Sequence, residues 1–494
     1  MVERRAVVVV GTGFGGIGMA AALRGAGVHD FAVLEKGPDV GGVWRDNVYP
    51  GAACDIPSHL YSFSFEPKAD WSRSFAAQPE ILEYLRGVAA RHDLRQHMRF
   101  GTEVHSAEFD EAEGLWRITT TSGERWDARI LVTACGQLNR PLIPALRGAE
   151  RFRGVAFHSA RWDDAFDVAG KRVAVVGTGA SAIQIVPSIV DKVERLHVFQ
   201  RSAPYVIAKS DREFFRWERA LFDRVPAVMR LNRGGIYVAC EARALGLVFA
   251  PPLRAPLEWG FRRHLERSVA DPGLRRRLVP DYSFGCKRVL LSNDYYPALQ
   301  RRNVELVTDP IRELTAHGIL TKDGRERPVD LVIYATGFKA SEFLAPMAIH
   351  GRSGRDLRQE WKDGAEAYLG MAVSGFPNLF MLYGPNTNLG HNSIIYMLES
   401  QIRYVTASVQ AILARRLKYV DVKSRVQAEF NEELRRRMQR SAWSGDCSSW
   451  YKTASGTNTN NWPGFTFAYR RRTREPDFGH YDVATDAGSC EAVA

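Results

Sequence analysis

Residues 6–16 read Ala6-Val7-Val8-Val9-Val10-Gly11-Thr12-Gly13-Phe14-Gly15-Gly16. The first five are a short apolar, β-branched run ended by glycine, the pattern of a strand buried in a parallel sheet. The glycines follow G-x-G-x-x-G, and Ile17-Gly18-Met19-Ala20-Ala21-Ala22-Leu23-Arg24 continues as a helix. Gly11 permits the tight turn, Gly13 lets the backbone approach a pyrophosphate, and Gly16 lets the helix pack close to the sheet. The phosphates are expected at the helix N-terminus, where free N–H groups and the helix dipole attract anions. A second strand, Asp30-Phe31-Ala32-Val33-Leu34, ends in Glu35, about twenty residues beyond the loop. An acid there accepts hydrogen bonds from ribose hydroxyls and repels a 2′-phosphate, which suits FAD or NAD and not NADP.

The pattern recurs. Arg172-Val173-Ala174-Val175-Val176 leads into Gly177-Thr178-Gly179-Ala180-Ser181-Ala182 and a helical Ile183-Gln184-Ile185-Val186. Small Ser181 and Ala182 replace the third glycine and still permit close packing. The next strand, Arg195-Leu196-His197-Val198-Phe199, ends not in an acid but in Gln200-Arg201-Ser202. A guanidinium there can bind a 2′-phosphate through two hydrogen bonds, so the second site reads as NADPH. Two such loops with opposite charge at the ends of their second strands predict an α/β protein with two Rossmann-like dinucleotide-binding domains. That combination implies a flavoprotein supplied with electrons by NADPH.

Composition narrows the field around these loops. A chain of 494 residues, 45% hydrophobic and 25% charged, suggests roughly two to four packed units. Disorder, collagen-like repeats and a small disulfide scaffold are excluded, and no run approaches the roughly 18 apolar residues of a membrane span. The N-terminus runs straight into the first strand, so no secretory signal is expected. The six cysteines (Cys54, Cys135, Cys240, Cys286, Cys447, Cys490) form no C-x-x-C pair. That spacing argues against a metal site or a dithiol redox centre and leads to the expectation of a reduced, cytoplasmic protein. The net charge of +11 fits nucleic acid, an anionic membrane surface, phosphate-rich ligands or simply an arginine-rich codon bias.

Two longer patterns carry a resemblance. Phe152-Arg153-Gly154-Val155-Ala156-Phe157-His158-Ser159-Ala160-Arg161-Trp162-Asp163 fills F-x-G-x-x-x-H-x-x-x-W-[PD]. Gly41-Gly42-Val43-Trp44-Arg45-Asp46-Asn47-Val48-Tyr49-Pro50-Gly51-Ala52-Ala53-Cys54-Asp55 fills [AG]-G-x-W-x-x-x-x-[FY]-P-[GM]-x-x-x-D. With Ala335-Thr336-Gly337-Phe338 and Gly384-Pro385-Asn386, the chain resembles the type I Baeyer–Villiger monooxygenases over nearly its whole length. The resemblance is loosest between about 211 and 281 and after 472. It implies FAD and NADPH as cofactors, and a small-molecule ketone and O2 as substrates, with sulfides also within reach. The implied reaction inserts one oxygen beside the carbonyl, through a C4a-peroxyflavin, to give an ester or lactone.

The resemblance also implies roles. Asp55 is similar to an active-site aspartate, and Arg288 to an arginine placed over the flavin. Lys287 and Arg201 resemble the pair on the NADPH 2′-phosphate, and Trp450 a mobile-loop tryptophan on the nicotinamide side. His158 matches a fingerprint histidine of conformational role, along with Phe152, Gly154 and Trp162. Each also has a plainer reading. Asp55 before Ile56-Pro57 could start a helix or turn, Arg288 could be a solvated arginine, His158 a structural histidine and Trp450 a packing aromatic.

Both nucleotide units are expected to be discontinuous. Residues 1–142 and 341–472 would form the FAD domain, and 150–208 and 282–340 the NADPH domain. A helical insertion at 209–281 reads either as a subdomain packed on the NADPH unit or as a substrate-entry or membrane-surface element. Residues 473–494 read as a partly disordered tail. Other functions stay open at this point: a flavin monooxygenase acting on sulfur or nitrogen, an uncoupled NADPH oxidase, and a non-catalytic basic protein. No nucleic-acid motif supports the last, and neither oligomeric state nor the identity of the ketone is legible.

Overall fold

Val7, Val8 and Val9 are fully buried in the computed structural model, which describes residues 2–249, 251–445, 447–453 and 455–485. Their strand, Val2–Val10, lies between Phe31–Leu34 and Arg125–Thr133, parallel to both. Continuous burial of a β-branched run is what a strand covered on both faces requires. The same sheet adds Met98–Arg99 beyond Phe31–Leu34, and the antiparallel Val104–Asp110 and Leu115–Thr120 beyond Arg125–Thr133. Two strands from far along the chain complete it. Leu379–Met381 pairs in parallel with Arg125–Thr133, and Ala348–His350 with Val104–Asp110. The strand begins only at Leu379, because Asn378 adopts a φ of +54° and turns the chain just before it.

The second sheet is wholly parallel, in the order Val304–Val307, Arg195–Phe199, Arg172–Val176, Leu331–Tyr334 and Val155–His158. The helix Ala182–Ile189 buries Ile183, Ile185, Val186 and Ile189 against it. Between the second sheet's strands Arg195–Phe199 and Val304–Val307 in sequence lies the insertion, with helices Arg216–Arg224, Pro226–Ala244 and Ala255–Ser268. Among the described residues no helix is long and apolar enough to cross a membrane.

The close approaches anticipated at the glycines are geometric facts. A Cβ on Gly16 would stand 1.8 Å from the Gly11 carbonyl oxygen. Gly16→Ala is therefore expected to displace the loop, at a cost of about 1–3 kcal/mol of stability. The purified variant should also lose most of its flavin absorbance; full flavin content would show that the loop tolerates the methyl.

One expectation is corrected. Cys286 and Cys447 form a disulfide with their Cα atoms 6.3 Å apart, so the six cysteines are not all thiols, and spacing offered no hint across 161 residues. The case for a reduced compartment loses its premise. Cys54, Cys135 and Cys240 are free, and Cys490 lies outside the described residues. Of the segment expected to be partly disordered, Tyr481–Thr485 is a strand antiparallel to Leu417–Val422, and the Tyr481 hydroxyl is 2.8 Å from that of Tyr404. Residues 486–494 lie outside the described residues.

Candidate active site

Both glycine loops leave an open cradle at a bare helix start. The helix Phe14–Gly25 begins after Gly13 with no side-chain cap and no acid in its first turn. The nearest heavy atom to a Cβ on Gly13 would be Gly42 Cα, at 3.7 Å, and a Cβ on Gly179 would meet nothing within 4 Å. Ala182–Ile189 likewise starts without a side-chain cap, its N-cap Ser181 leaving the helix amides alone. By contrast Gly11 and Gly177 are crowded, since a Cβ there would approach the carbonyls of Ala134 and Ala335 to 2.8 and 2.4 Å. Unbonded helix-start amides beneath empty space fit two pyrophosphates.

Glu35 is buried and accepts from the Thr12 amide (2.9 Å), the Thr12 hydroxyl (2.7 Å) and the Gly37 amide (2.7 Å). Burial pushes its pKa up, but Arg45 at 3.0 Å and these hydrogen bonds outweigh that and hold it below the ordinary range. The carboxylate is thus fixed and charged, two donors on each oxygen, at the strand end where an acid meets ribose hydroxyls. Trp44, next to Arg45 in sequence, is half-buried and donates from its indole N–H to the Tyr61 hydroxyl at 3.1 Å.

At the matching end of the second unit the charge is positive. Lys287 donates to the Ser202 hydroxyl at 2.9 Å, with its ammonium 4.3 Å from the centre of the Tyr282 ring. Burial, and then the charge of nearby Arg201, hold the Lys287 pKa below its ordinary value. Arg201 is exposed. Two cations held close enough to repel each other, beside the Ser202 hydroxyl, suit a phosphate dianion.

Asp55 and Arg288 meet across the two units, 233 residues apart. Arg288 Nε and Nη2 approach Asp55 Oδ2 to 2.8 and 2.7 Å, and Nη1 donates to the Leu389 carbonyl at 3.2 Å. Asp55 raises the Arg288 pKa further above its ordinary value, against the effect of burial. The Asp55 segment forms a turn and not the helix start that its Asp-Ile-Pro sequence allowed. Buried Tyr451 and half-buried Tyr383 lie within the field of this pair. Burial pushes Tyr451 up to about 12, with Arg288 pulling the other way. Tyr383 donates to Asn388 Oδ1 at 2.7 Å.

The fingerprint residues sit elsewhere. His158 is 1% exposed and fully bonded; its Nε2 donates to the Gly337 carbonyl at 2.9 Å, and its Nδ1 accepts from the Ala160 amide at 3.1 Å. Burial lowers its pKa, so the ring is a neutral tie between the strand Val155–His158 and the segment after Tyr334. Phe152 covers Gly154, where a Cβ would stand 2.4 Å from the Phe152 ring, and Trp162 packs edge-on to Phe157 at 5.2 Å. Gly51 joins the units. Its Cβ would strike Ser188 Oγ at 2.2 Å, while Gln184 on the same helix bonds the Tyr49 hydroxyl and the Ala53 carbonyl.

Trp450 is half-buried and reaches the Arg288 cluster through Tyr451, their ring centres 4.4 Å apart. The Cys286–Cys447 bond fastens this loop to the residues just before Lys287 and Arg288. Sequence reasoning missed Tyr451, Tyr383 and Leu389. The one signal for Tyr451 is that it adjoins Trp450, and Leu389 contributes through its backbone, which no side-chain pattern reveals.

The pyridine nucleotide-disulphide oxidoreductase family profile matches residues 8–215. A Baeyer-Villiger monooxygenase of Pseudomonas aeruginosa is 46% identical over 481 residues, covering 97% of this chain and 91% of that protein. One of Streptomyces coelicolor is 43% identical over 98% and 94% of the two chains. The solved complex of OTEMO with FAD and NADP superimposes with a TM-score of 0.88 at 27% identity, over 98% of this chain and 100% of that one.

Proposed function

This chain belongs to the Baeyer–Villiger monooxygenases, which use FAD and NADPH to insert an oxygen atom of O2 beside a ketone carbonyl, and we propose that Arg288 is the fixed cation of its reaction. The observation that carries this reading is the Asp55–Arg288 pair, joined across the two nucleotide units at 2.7 Å. When bound, FAD supplies the oxygen-transfer chemistry and NADPH the hydride. The residues of the chain do the rest.

Gly11, Gly13 and Gly16 with Glu35 hold the FAD pyrophosphate and ribose, with Trp44 beside them; Gly177, Gly179 and Ser181 hold that of NADPH. Arg201 and Lys287 hold its 2′-phosphate. Arg288 presents N–H groups to the negative charge that develops on the ketone oxygen as the carbonyl carbon becomes tetrahedral. A guanidinium performs this task without losing a proton, and a preorganised cation in a site shielded from water is a large electrostatic term. Asp55 fixes the direction of Arg288 and leaves part of its fork free. Trp450 and Tyr451 close the site from the nicotinamide side and exclude water. His158 keeps its conformational part through Gly337, with Phe152, Gly154 and Trp162 building the turn around it.

A panel of ketones and sulfides, with NADPH and product identification by mass spectrometry, tests the reading. Ester or lactone from at least one ketone is expected. Sulfoxides alone would assign the chain to sulfur oxygenation, and peroxide alone to an uncoupled oxidase.

A further inference from the structure

The insertion helix Pro226–Ala244 is apolar on two opposite faces. Its inner face packs into the protein through Met229, Cys240 and Ala244, and buried Glu241 accepts from Asn392 at 2.6 Å. Its outer face carries Leu231 and Val238, and Leu245 caps its C-terminal end; seven residues apart, the three align at 3.6 residues per turn, with Gly235 and Ala242 between them. These side chains are 76%, 65% and 42% exposed, and Phe249 just beyond is 46% exposed. Isolated exposed leucines need no explanation, but a continuous apolar stripe along a helix does.

Charge identifies what covers it. Residues 209–281 contain fifteen Lys and Arg against nine Asp and Glu, a surplus of six within a chain whose whole surplus is eleven. Exposed Arg230 and Arg243 lie on either side of the stripe, about a quarter-turn or more from its centre. That is the arrangement of a helix lying in a bilayer interface, with apolar residues inward and arginines at headgroup level. The spacing of four and three residues also suits a coiled-coil seam. A second copy would, however, set the same positive surplus against itself across the contact, whereas anionic headgroups neutralise it.

We propose that the outer face of Pro226–Ala244, continued by Phe249, docks the protein on an anionic membrane surface. The test is sedimentation of the FAD-loaded full chain with vesicles, which involves no ketone turnover. Vesicles of phosphatidylcholine with about a third phosphatidylglycerol should carry the protein down at low salt, and pure phosphatidylcholine or high salt should carry down much less. The triple variant L231S/V238S/L245S is expected to partition about tenfold or more weakly. The single variant L231S should show a smaller loss in the same direction. Both should oxidise NADPH at the wild-type rate, which verifies their folding. The proposal fails if wild-type protein stays in the supernatant with anionic vesicles, or if the serine variants bind as well as it does. It also fails if the wild-type protein is a dimer in solution that the triple variant dissociates, which would give the face to a second copy.

Discussion

Replacing Arg288 with alanine is expected to leave flavin reduction by NADPH measurable while ester formation falls about 100- to 1,000-fold, the usual loss when a preorganised oxyanion donor is removed. The selectivity follows from position. Arg288 is bonded to Asp55 and to the Leu389 carbonyl, whereas the NADPH phosphate cluster of Arg201, Lys287 and Ser202 is formed without it. Truncation also leaves the Asp55 carboxylate half-buried and unpaired, so Asp55 would repel negative charge where a cation had attracted it. Arg288→Lys keeps the charge and loses the planar fork, and should fall between the two. Anaerobic bleaching of the flavin and quantified ester separate the steps. An alanine variant that makes ester at the wild-type rate removes Arg288 from the chemistry.

The second large effect concerns coenzyme choice. Arg201→Ala should raise the KM for NADPH about 10- to 100-fold, the worth of one or two charge-assisted hydrogen bonds, and leave NADH nearly unchanged. A pH dependence accompanies it. Burial and the neighbouring Arg201 lower the Lys287 pKa, so in the free enzyme its charge is lost at a lower pH than for an ordinary lysine. kcat/KM for NADPH should therefore decline on the alkaline side as Lys287 deprotonates. Without Arg201 the repulsion is relieved, and that decline should move to higher pH. Equal losses with NADPH and NADH, or a limb that does not move, would contradict the 2′-phosphate assignment.

What the sequence made legible was local. The two strand–turn–helix units, the acid at Glu35 and its replacement by Arg201 are read within about thirty residues each, because the turn geometry and the strand-end position are dictated by neighbours in the chain. The strand Arg172–Val176 and its partner Arg195–Phe199 appear at the bounds that hydrophobic runs predicted. The Asp55–Arg288 contact has no local signature, and only the resemblance brought those residues together. The Cys286–Cys447 bond spans 161 residues and was read as two thiols. The outer stripe of Pro226–Ala244 escaped notice because its two apolar faces blur the periodicity that marks a surface helix. Tyr481–Thr485 holds little apolar content beyond Tyr481 and Val483, so its strand owes its existence to pairing with Leu417–Val422.

Turnover of a ketone under heavy-isotope dioxygen in ordinary water, with NADPH consumption followed in parallel, is the most direct measurement. The product ester should carry a single heavy oxygen, in the bridging position between the carbonyl carbon and the migrated carbon, with one NADPH consumed for each ester formed. NADPH consumed with the heavy oxygen recovered only as hydrogen peroxide, or an ester whose new oxygen comes from water, would contradict it.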